Sequence, residues 1–176
     1  VTQRQIPANL FAGDHAAVRR ADSHLPLVIL LVLSQLAIGA SVAALVVKPA
    51  LPLLLGAFAV GLVAMIAGSL HLGQPLKAWR AFLGWQKSWF SREVIAFGGF
   101  VSIVGAAAGA LWLPGAQPLE QFLSPLATLA GLSTVVCSAM IYVDTRREFW
   151  NAARSFTKFF GTTLLLGTAA TVMVLP

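Results

Sequence analysis

Five long and almost uncharged apolar stretches restrict what this sequence can fold into. They cover residues 25–47, 51–72, 94–113, 122–143 and 159–175. A helix needs roughly 17–25 residues to cross the hydrocarbon core of a bilayer, and each stretch meets that length. Because backbone groups inside a bilayer must be paired within their own segment, the pattern predicts an all-α, polytopic transmembrane helix bundle with five spans.

The composition argues against a water-soluble domain. Hydrophobic residues make up 58% of the chain and charged residues 10%, whereas a soluble domain has roughly 25% charged residues. The net charge of +6 and the isoelectric point near 10.5 would also suit a nucleic-acid partner. The basic residues flank the apolar stretches, however, so we attribute them to lipid headgroups and topology and predict no nucleic-acid binding.

Residues 1–24 are polar and mixed, and they lack the apolar core of a signal peptide. We expect them to form a cytoplasmic arm or linker in front of a transmembrane domain at residues 25–176. The sequence ends at Pro176 without a polar tail, which leaves open that it is a piece of a longer anchor or fusion.

Basic residues concentrate on one side of the predicted bundle. Alternating spans bring residues 1–24, 73–92 and 144–158 to the same side, and Lys48 is the basic residue of the other side. The first side holds Arg4, Arg19, Arg20, Lys77, Arg80, Lys87, Arg92, Arg146, Arg147, Arg154 and Lys158. The positive-inside rule therefore predicts that the N-terminus and both basic loops are cytoplasmic.

Small residues recur at helical spacing in the second and third spans. The two stripes are Gly61, Ala64, Gly68 with His71, and Gly98, Ser102, Gly105 with Gly109. Such stripes let helix backbones approach closely, so we expect both to face other helices. The first stripe places His71 on a side that faces protein.

The connection between these two spans has an aromatic side and a basic side. The aromatic side carries Trp79, Phe82, Leu83, Trp89 and Phe90, and the basic side carries Lys77, Arg80 and Lys87. This pattern predicts an amphipathic segment in the headgroup region, anchored by tryptophans.

Two ionisable residues, His71 and Glu93, bracket this connection at the membrane boundary. A buried histidine is often only structural, but ionisable residues inside membranes mark ligand sites and proton paths. Imidazole both donates and accepts hydrogen bonds near neutral pH, and a partly buried carboxylate can relay protons. The pair therefore suits a quinone, which needs a donor to a carbonyl oxygen and a route for protons.

Metal-binding patterns are missing from the sequence. Cys137 is the single cysteine, and it cannot form an intrachain disulfide or supply the several thiolates of an iron–sulfur cluster. The three histidines are not paired within a span, so we predict no metal, haem or cluster in this chain.

The sequence around His71 resembles the membrane anchor subunit of the dimethyl sulfoxide reductase family. The resemblance rests on Ser-Leu-His-Leu-Gly-Gln-Pro-Leu-Lys-Ala-Trp-Arg at residues 69–80 and Ser-Trp-Phe-Ser-Arg-Glu at 88–93. Supporting similarity lies in Ser-His-Leu-Pro-Leu at 23–27, in Gln35 and Gly39, and in Tyr142 followed by Thr-Lys-Phe-Phe at 157–160. It extends over about residues 20–172.

The resemblance implies a subunit that holds an iron–sulfur subunit and a molybdopterin catalytic subunit at the bacterial cytoplasmic membrane and exchanges electrons with menaquinone or ubiquinone. It aligns His71 and Glu93 with the family's quinone-site residues. We add His24, Arg80 and Arg92 as candidates for shaping the site or docking the partner. Catalytic residues, the molybdenum cofactor and the iron–sulfur clusters are expected in the partners.

Two features depart from the family pattern. Family anchors usually have more spans, and the basic loops point into the cytoplasm, whereas such reductases commonly act on the outer side. A cytoplasm-facing relative such as the quinone-linked sulfite dehydrogenase fits the charges better. Two other interpretations stay open: a passive anchor or assembly subunit without a quinone site, and a small transporter. The transporter is disfavoured because ionisable residues avoid the span centres.

Overall fold

The computed structural model describes residues 25–71 and 75–174, with the backbone alone described for residues 71 and 75–78. This part of the chain is a helical bundle without strands, as the sequence predicts. Its five long helices are α1 (Leu25–Ala44), α2 (Ala50–His71), α3 (Trp89–Trp112), α4 (Gln117–Val143) and α5 (Ala152–Val174). All five are long and apolar enough to cross a membrane.

Two short 3-10 helices lie in the connections. The first, Pro75–Gly84, joins α2 to α3, and we name it the connector helix. The second, Glu148–Trp150, lies between α4 and α5. Trp89 and Phe90, which were predicted to belong to the amphipathic connection, are instead the first two residues of α3.

Three helices begin earlier than the predicted spans. Helix α3 begins at Trp89 rather than 94 because Ser88 caps it, accepting a hydrogen bond from the backbone N–H of Ser91 at 3.4 Å. Helix α4 begins at Gln117 rather than 122, and α5 at Ala152 rather than 159. The predicted spans began after charged residues, but the glutamates in α3 and α4 lie inside those helices and accept hydrogen bonds from serine hydroxyls. The basic residues in the first turns of α5 are exposed.

Successive long helices run in opposite directions. The starts of α1, α3 and α5 and the ends of α2 and α4 therefore lie at the same end of the bundle. We call this the basic end, because most of the basic residues of the sequence fall there. Helices α1 and α5 run parallel and cross closely at Gly39 and Gly167. A Cβ atom placed on Gly167 would lie 2.6 Å from the carbonyl oxygen of Gly39, so the crossing requires glycine.

Helices α2 and α3 touch through two glycines. A Cβ atom on Gly61 would lie 2.9 Å from Val101 Cγ2, and one on Gly105 would lie 2.6 Å from Phe58 Cε2. The small-residue stripes thus mark this contact in part. Gly98 and Gly109 differ, because a Cβ atom on either would meet no atom within 4 Å, and Ser102 is exposed.

Candidate functional site

A cavity of about 380 Å³ lies at the basic end of the bundle. Helices α1 to α4 and the connector helix all contribute to its walls. The lining residues are Leu30, Ser34, Met65, Gly68, Ser69, Trp79, Phe82, Phe90, Glu93, Val94, Phe97, Gly98 and Thr134. Most of these side chains are apolar, and one carries a formal charge.

The inner wall of the cavity is well buried. Ser34 of α1, Phe97 of α3 and Thr134 of α4 are 5%, 5% and 1% exposed. The outer rim is open, since Met65 of α2 and Phe90 of α3 are 39% and 41% exposed. Trp79 and Phe82 of the connector helix are 58% and 61% exposed. The cavity therefore closes against α1 and α4 and is bordered by exposed side chains on α2, α3 and the connector helix.

Glu93 is the charged residue of the cavity wall. It lies in the second turn of α3 and is partly buried. Its carboxylate accepts a hydrogen bond from the hydroxyl of Ser138, a residue of α4 that is 4% exposed. Because a buried carboxylate without donors is costly, this bond fixes where the charge can lie.

The hydroxyl groups of the cavity are already used within their own helices. Ser34 donates to the carbonyl oxygen of Leu31 at 3.1 Å, and Ser69 to that of Met65 at 2.9 Å. Thr134 donates to the carbonyl oxygen of Ala130 at 3.0 Å. Glu93 is thus the lining residue best able to exchange a proton with a bound molecule.

His71 is the last residue of α2, and its side chain lies outside the described part of the structure. Gly68 and Ser69, within the preceding turn of the same helix, line the cavity. The backbone therefore brings His71 and Glu93 to the same end of the bundle, on two of the helices that border the cavity. Whether their side chains meet stays a prediction.

The secondary candidates occupy different places. Arg92 donates from Nε to the carbonyl oxygen of Trp85 at 2.8 Å and from Nη2 to that of Gln86 at 3.0 Å. Its guanidinium lies 4.3 Å from the ring centroid of Trp89, so Arg92 holds the turn before α3. Arg80 is exposed, 6.0 Å from the ring of Trp79, and His24 lies outside the described residues.

Sequence reasoning missed Ser138, Thr134, Ser34 and Phe97. Ser138 stands 45 positions from Glu93, and no local spacing connects the two. The available signal was weak: a small polar residue in an apolar span, next to the lone Cys137. Among the described residues, no group of three or more His, Cys, Asp or Glu side chains could hold a metal ion.

Together, the bundle and its cavity define a polytopic helical membrane protein with an apolar, carboxylate-bearing site at its basic end. Comparison with known families identifies it further. The chain belongs to the DMSO reductase anchor subunit (DmsC) family, whose profile matches residues 20–176. Its relatives are subunits of oxidoreductase complexes, in agreement with the resemblance inferred from the sequence.

One similar protein is a sulfite dehydrogenase subunit from Allochromatium vinosum, which is 37% identical over 131 residues. The aligned region covers 65% of this chain and 39% of the relative, so the chain spans well under half of that protein's length. No solved structure matches the chain.

Proposed function

We propose that this chain is the quinone-binding membrane anchor of a molybdenum and iron–sulfur oxidoreductase complex in a bacterial cytoplasmic membrane. The quinone ring binds in the cavity that α1 to α4 and the connector helix form at the basic end, and that end faces the cytoplasm. An iron–sulfur subunit docks there and exchanges electrons with the quinone pool, while the substrate chemistry takes place in a molybdopterin subunit. The complex is of the DMSO reductase or sulfite dehydrogenase type.

The observation that carries the proposal is the carboxylate of Glu93 on the wall of an apolar cavity. Ligand sites typically measure roughly 300–1,000 Å³ and combine apolar walls with a few placed polar groups. The cavity of about 380 Å³, with Phe82, Phe90 and Phe97 on its walls, fits that description. A flat, mostly apolar quinone ring suits these walls, and its carbonyl oxygens need the polar groups at their edge.

Each of the residues near the cavity has its own role in the proposed quinone chemistry. A bound quinone supplies two-electron, two-proton redox chemistry. Glu93 holds and passes protons between the cavity and the cytoplasm, and Ser138 keeps its carboxylate at the wall. His71, at the end of α2, donates a hydrogen bond to a carbonyl oxygen. Arg92 fixes the turn that leads into α3 and so positions Glu93.

The basic end also suits the docking of a partner. Arg80 and Arg154 are exposed there, and Lys158 stacks on Trp150 with its Nζ 5.3 Å from the ring centroid. A cluster of exposed positive charges attracts an acidic partner surface and repels a basic one. In this proposal these residues bind the iron–sulfur subunit, and electrons pass directly between its cluster and the quinone in the cavity.

The test compares two carboxylates of the same chain. Glu93→Gln removes the proton-carrying group at the cavity, while Glu120→Gln alters a buried carboxylate at the opposite end that accepts from Ser124 at 2.7 Å. Loss of general acid–base function costs roughly a hundredfold or more in rate. We expect that loss in quinone-linked turnover for Glu93→Gln alone, with the partner subunits retained on the membrane. Wild-type turnover in Glu93→Gln membranes would instead favour the passive-anchor function.

A further inference from the structure

We propose that protons pass between Glu93 and the cytoplasm through the hydroxyl of Tyr142, at the basic end of α4. The inference rests on the proposed function and deepens it, because it assigns a proton-relay residue outside the cavity. Tyr142 is partly buried and does not line the cavity. A quinone in the cavity displaces water from that side of the Glu93 carboxylate, so a proton needs a route on the other side.

The first support is the position of Tyr142 relative to Ser138. The two residues are four apart on α4, so they share a face of the helix and their Cβ atoms are roughly 5–6 Å apart. Ser138 donates its hydroxyl hydrogen to the carboxylate of Glu93. A long helical side chain covers the turn that precedes it, which here is the turn of Ser138. The charge of Glu93 also acts on the Tyr142 hydroxyl, so the two groups are within electrostatic reach.

The second support is the aromatic surroundings of Tyr142 at the connection between α4 and α5. The ring centroid of Tyr142 lies 4.6 Å from that of Trp150 and 5.4 Å from that of Phe159. Phenylalanine has no polar side-chain atom, and the indole of tryptophan is a donor only. Neither ring can accept the proton of the Tyr142 hydroxyl, which therefore needs a serine hydroxyl or water as its acceptor.

The third support is the short path from Tyr142 to the surface of the basic end. Tyr142 is the last residue but one of α4, and Asp144 and Thr145 after it are exposed. On α5, the exposed Lys158 holds its Nζ 5.3 Å from the ring centroid of Trp150, which packs on Tyr142. Water therefore reaches the immediate neighbourhood of Tyr142, although it does not readily reach the buried Ser138.

The relay moves a proton without leaving a charge on Tyr142. When Glu93 has taken a proton from the cavity, it passes that proton to the Ser138 hydroxyl, which gives its own to the Tyr142 oxygen directly or through one water. Tyr142 then releases its original hydroxyl proton to surface water. A hydroxyl can donate and accept at the same time, so only O–H bonds form and break. The same steps run in reverse when the cavity takes up protons.

The experiment removes one hydroxyl at each of two neighbouring positions. Tyr142→Phe loses the hydroxyl and keeps the ring that packs on Trp150 and Phe159. Thr145→Val is the matched control, since Thr145 is exposed and its hydroxyl donates to the backbone carbonyl oxygen of Tyr142 at 2.6 Å. Native membranes with the assembled complex are assayed for electron exchange with a quinone analogue. Each assay is run with and without imidazole, a small buffer that carries protons near neutral pH.

We expect Tyr142→Phe to lower the exchange roughly tenfold, less than the loss for Glu93→Gln because water replaces a relay in part. Added imidazole should restore most of that loss, and Thr145→Val should match the wild type in both conditions. Wild-type exchange in Tyr142→Phe, or a loss that imidazole does not restore, would overturn the relay while leaving the quinone site intact. Absence of saturable labelling of wild-type membranes by an azido-quinone would overturn the proposed function itself.

Discussion

The hydroxyl of Ser138 on α4 donates a hydrogen bond to the carboxylate of Glu93 on α3. The two residues are distant in sequence, and the extensive packing of α3 on α4 brings them together at the wall of the cavity. Ser138 is 4% exposed, so water cannot readily replace its hydroxyl. The bond therefore links the position of the proposed proton carrier to the packing of two helices.

Removing that hydroxyl should slow quinone exchange without dismantling the complex. A hydrogen bond to a charged group contributes roughly 1.5–3 kcal/mol, so we expect Ser138→Ala to lower turnover by about tenfold or more. Ser138→Thr, which keeps a hydroxyl, should restore most of the rate. The control is Ser133→Ala, since Ser133 is exposed and donates to the carbonyl oxygen of Leu129 in its own helix. Equal rates for Ser138→Ala and Ser133→Ala would exclude a positioning role.

Filling the cavity should abolish ligand binding. Gly98 lines it, and a Cβ atom there meets no atom within 4 Å, so Gly98→Leu can extend into the open space without strain on the bundle. We expect loss of saturable photolabelling of the membranes by an azido-quinone, with normal assembly of the complex. Gly109→Leu is matched, because that glycine of α3 is equally open but does not line the cavity. Full binding by Gly98→Leu would place the quinone elsewhere.

The crossing of α1 and α5 should be the most sensitive packing site. Gly167→Val puts a branched side chain against the carbonyl of Gly39, which must force the two helices apart. Overpacking costs roughly 1–3 kcal/mol or more, so the purified protein in detergent should unfold at a clearly lower temperature. Gly161→Val, on the open face of α5, should melt like the wild type. Identical melting of the two variants would contradict the close crossing.

The orientation can be read with thiol labelling. In a Cys137→Ala background, Lys48→Cys and Thr145→Cys place exposed thiols at opposite ends of the bundle. If the basic end is cytoplasmic, a membrane-impermeant maleimide added to intact cells should label Lys48→Cys alone, and permeabilised cells should show both. Labelling of Thr145→Cys in intact cells would reverse the topology and move partner docking to the outer side.

The number and type of helices could be predicted because the bilayer imposes a length and an apolarity that the sequence shows directly. The starts of the helices could not be predicted, since the predicted spans began only after Glu93 and after Arg154 and Lys158. Ser138 donates a hydrogen bond to Glu93, which lies inside α3, and the Lys158 ammonium of α5 lies over the ring of Trp150. These are tertiary contacts, which a local charge pattern does not contain.

The site was predictable only where it is local. His71 and Glu93 flank one hairpin, so a sequence pattern can bring them to the same end of the bundle. Ser34, Thr134 and Ser138 reach the cavity region through the packing of α1 and α4, and nothing in their spacing indicates that neighbourhood. The roles proposed for Glu93 and Ser138 could be assigned only once the packing of α3 on α4 was known.

The most direct measurement of the central claim is quinone exchange by membranes that carry His71→Ala, with the partner subunits quantified on the same membranes. If the end of α2 and the start of α3 form a quinone site, electron exchange with a quinone analogue should collapse while the partners remain bound. His71→Gln, which keeps a hydrogen-bond donor, should retain part of the exchange. Unchanged exchange in His71→Ala would contradict the account and leave the chain a passive anchor.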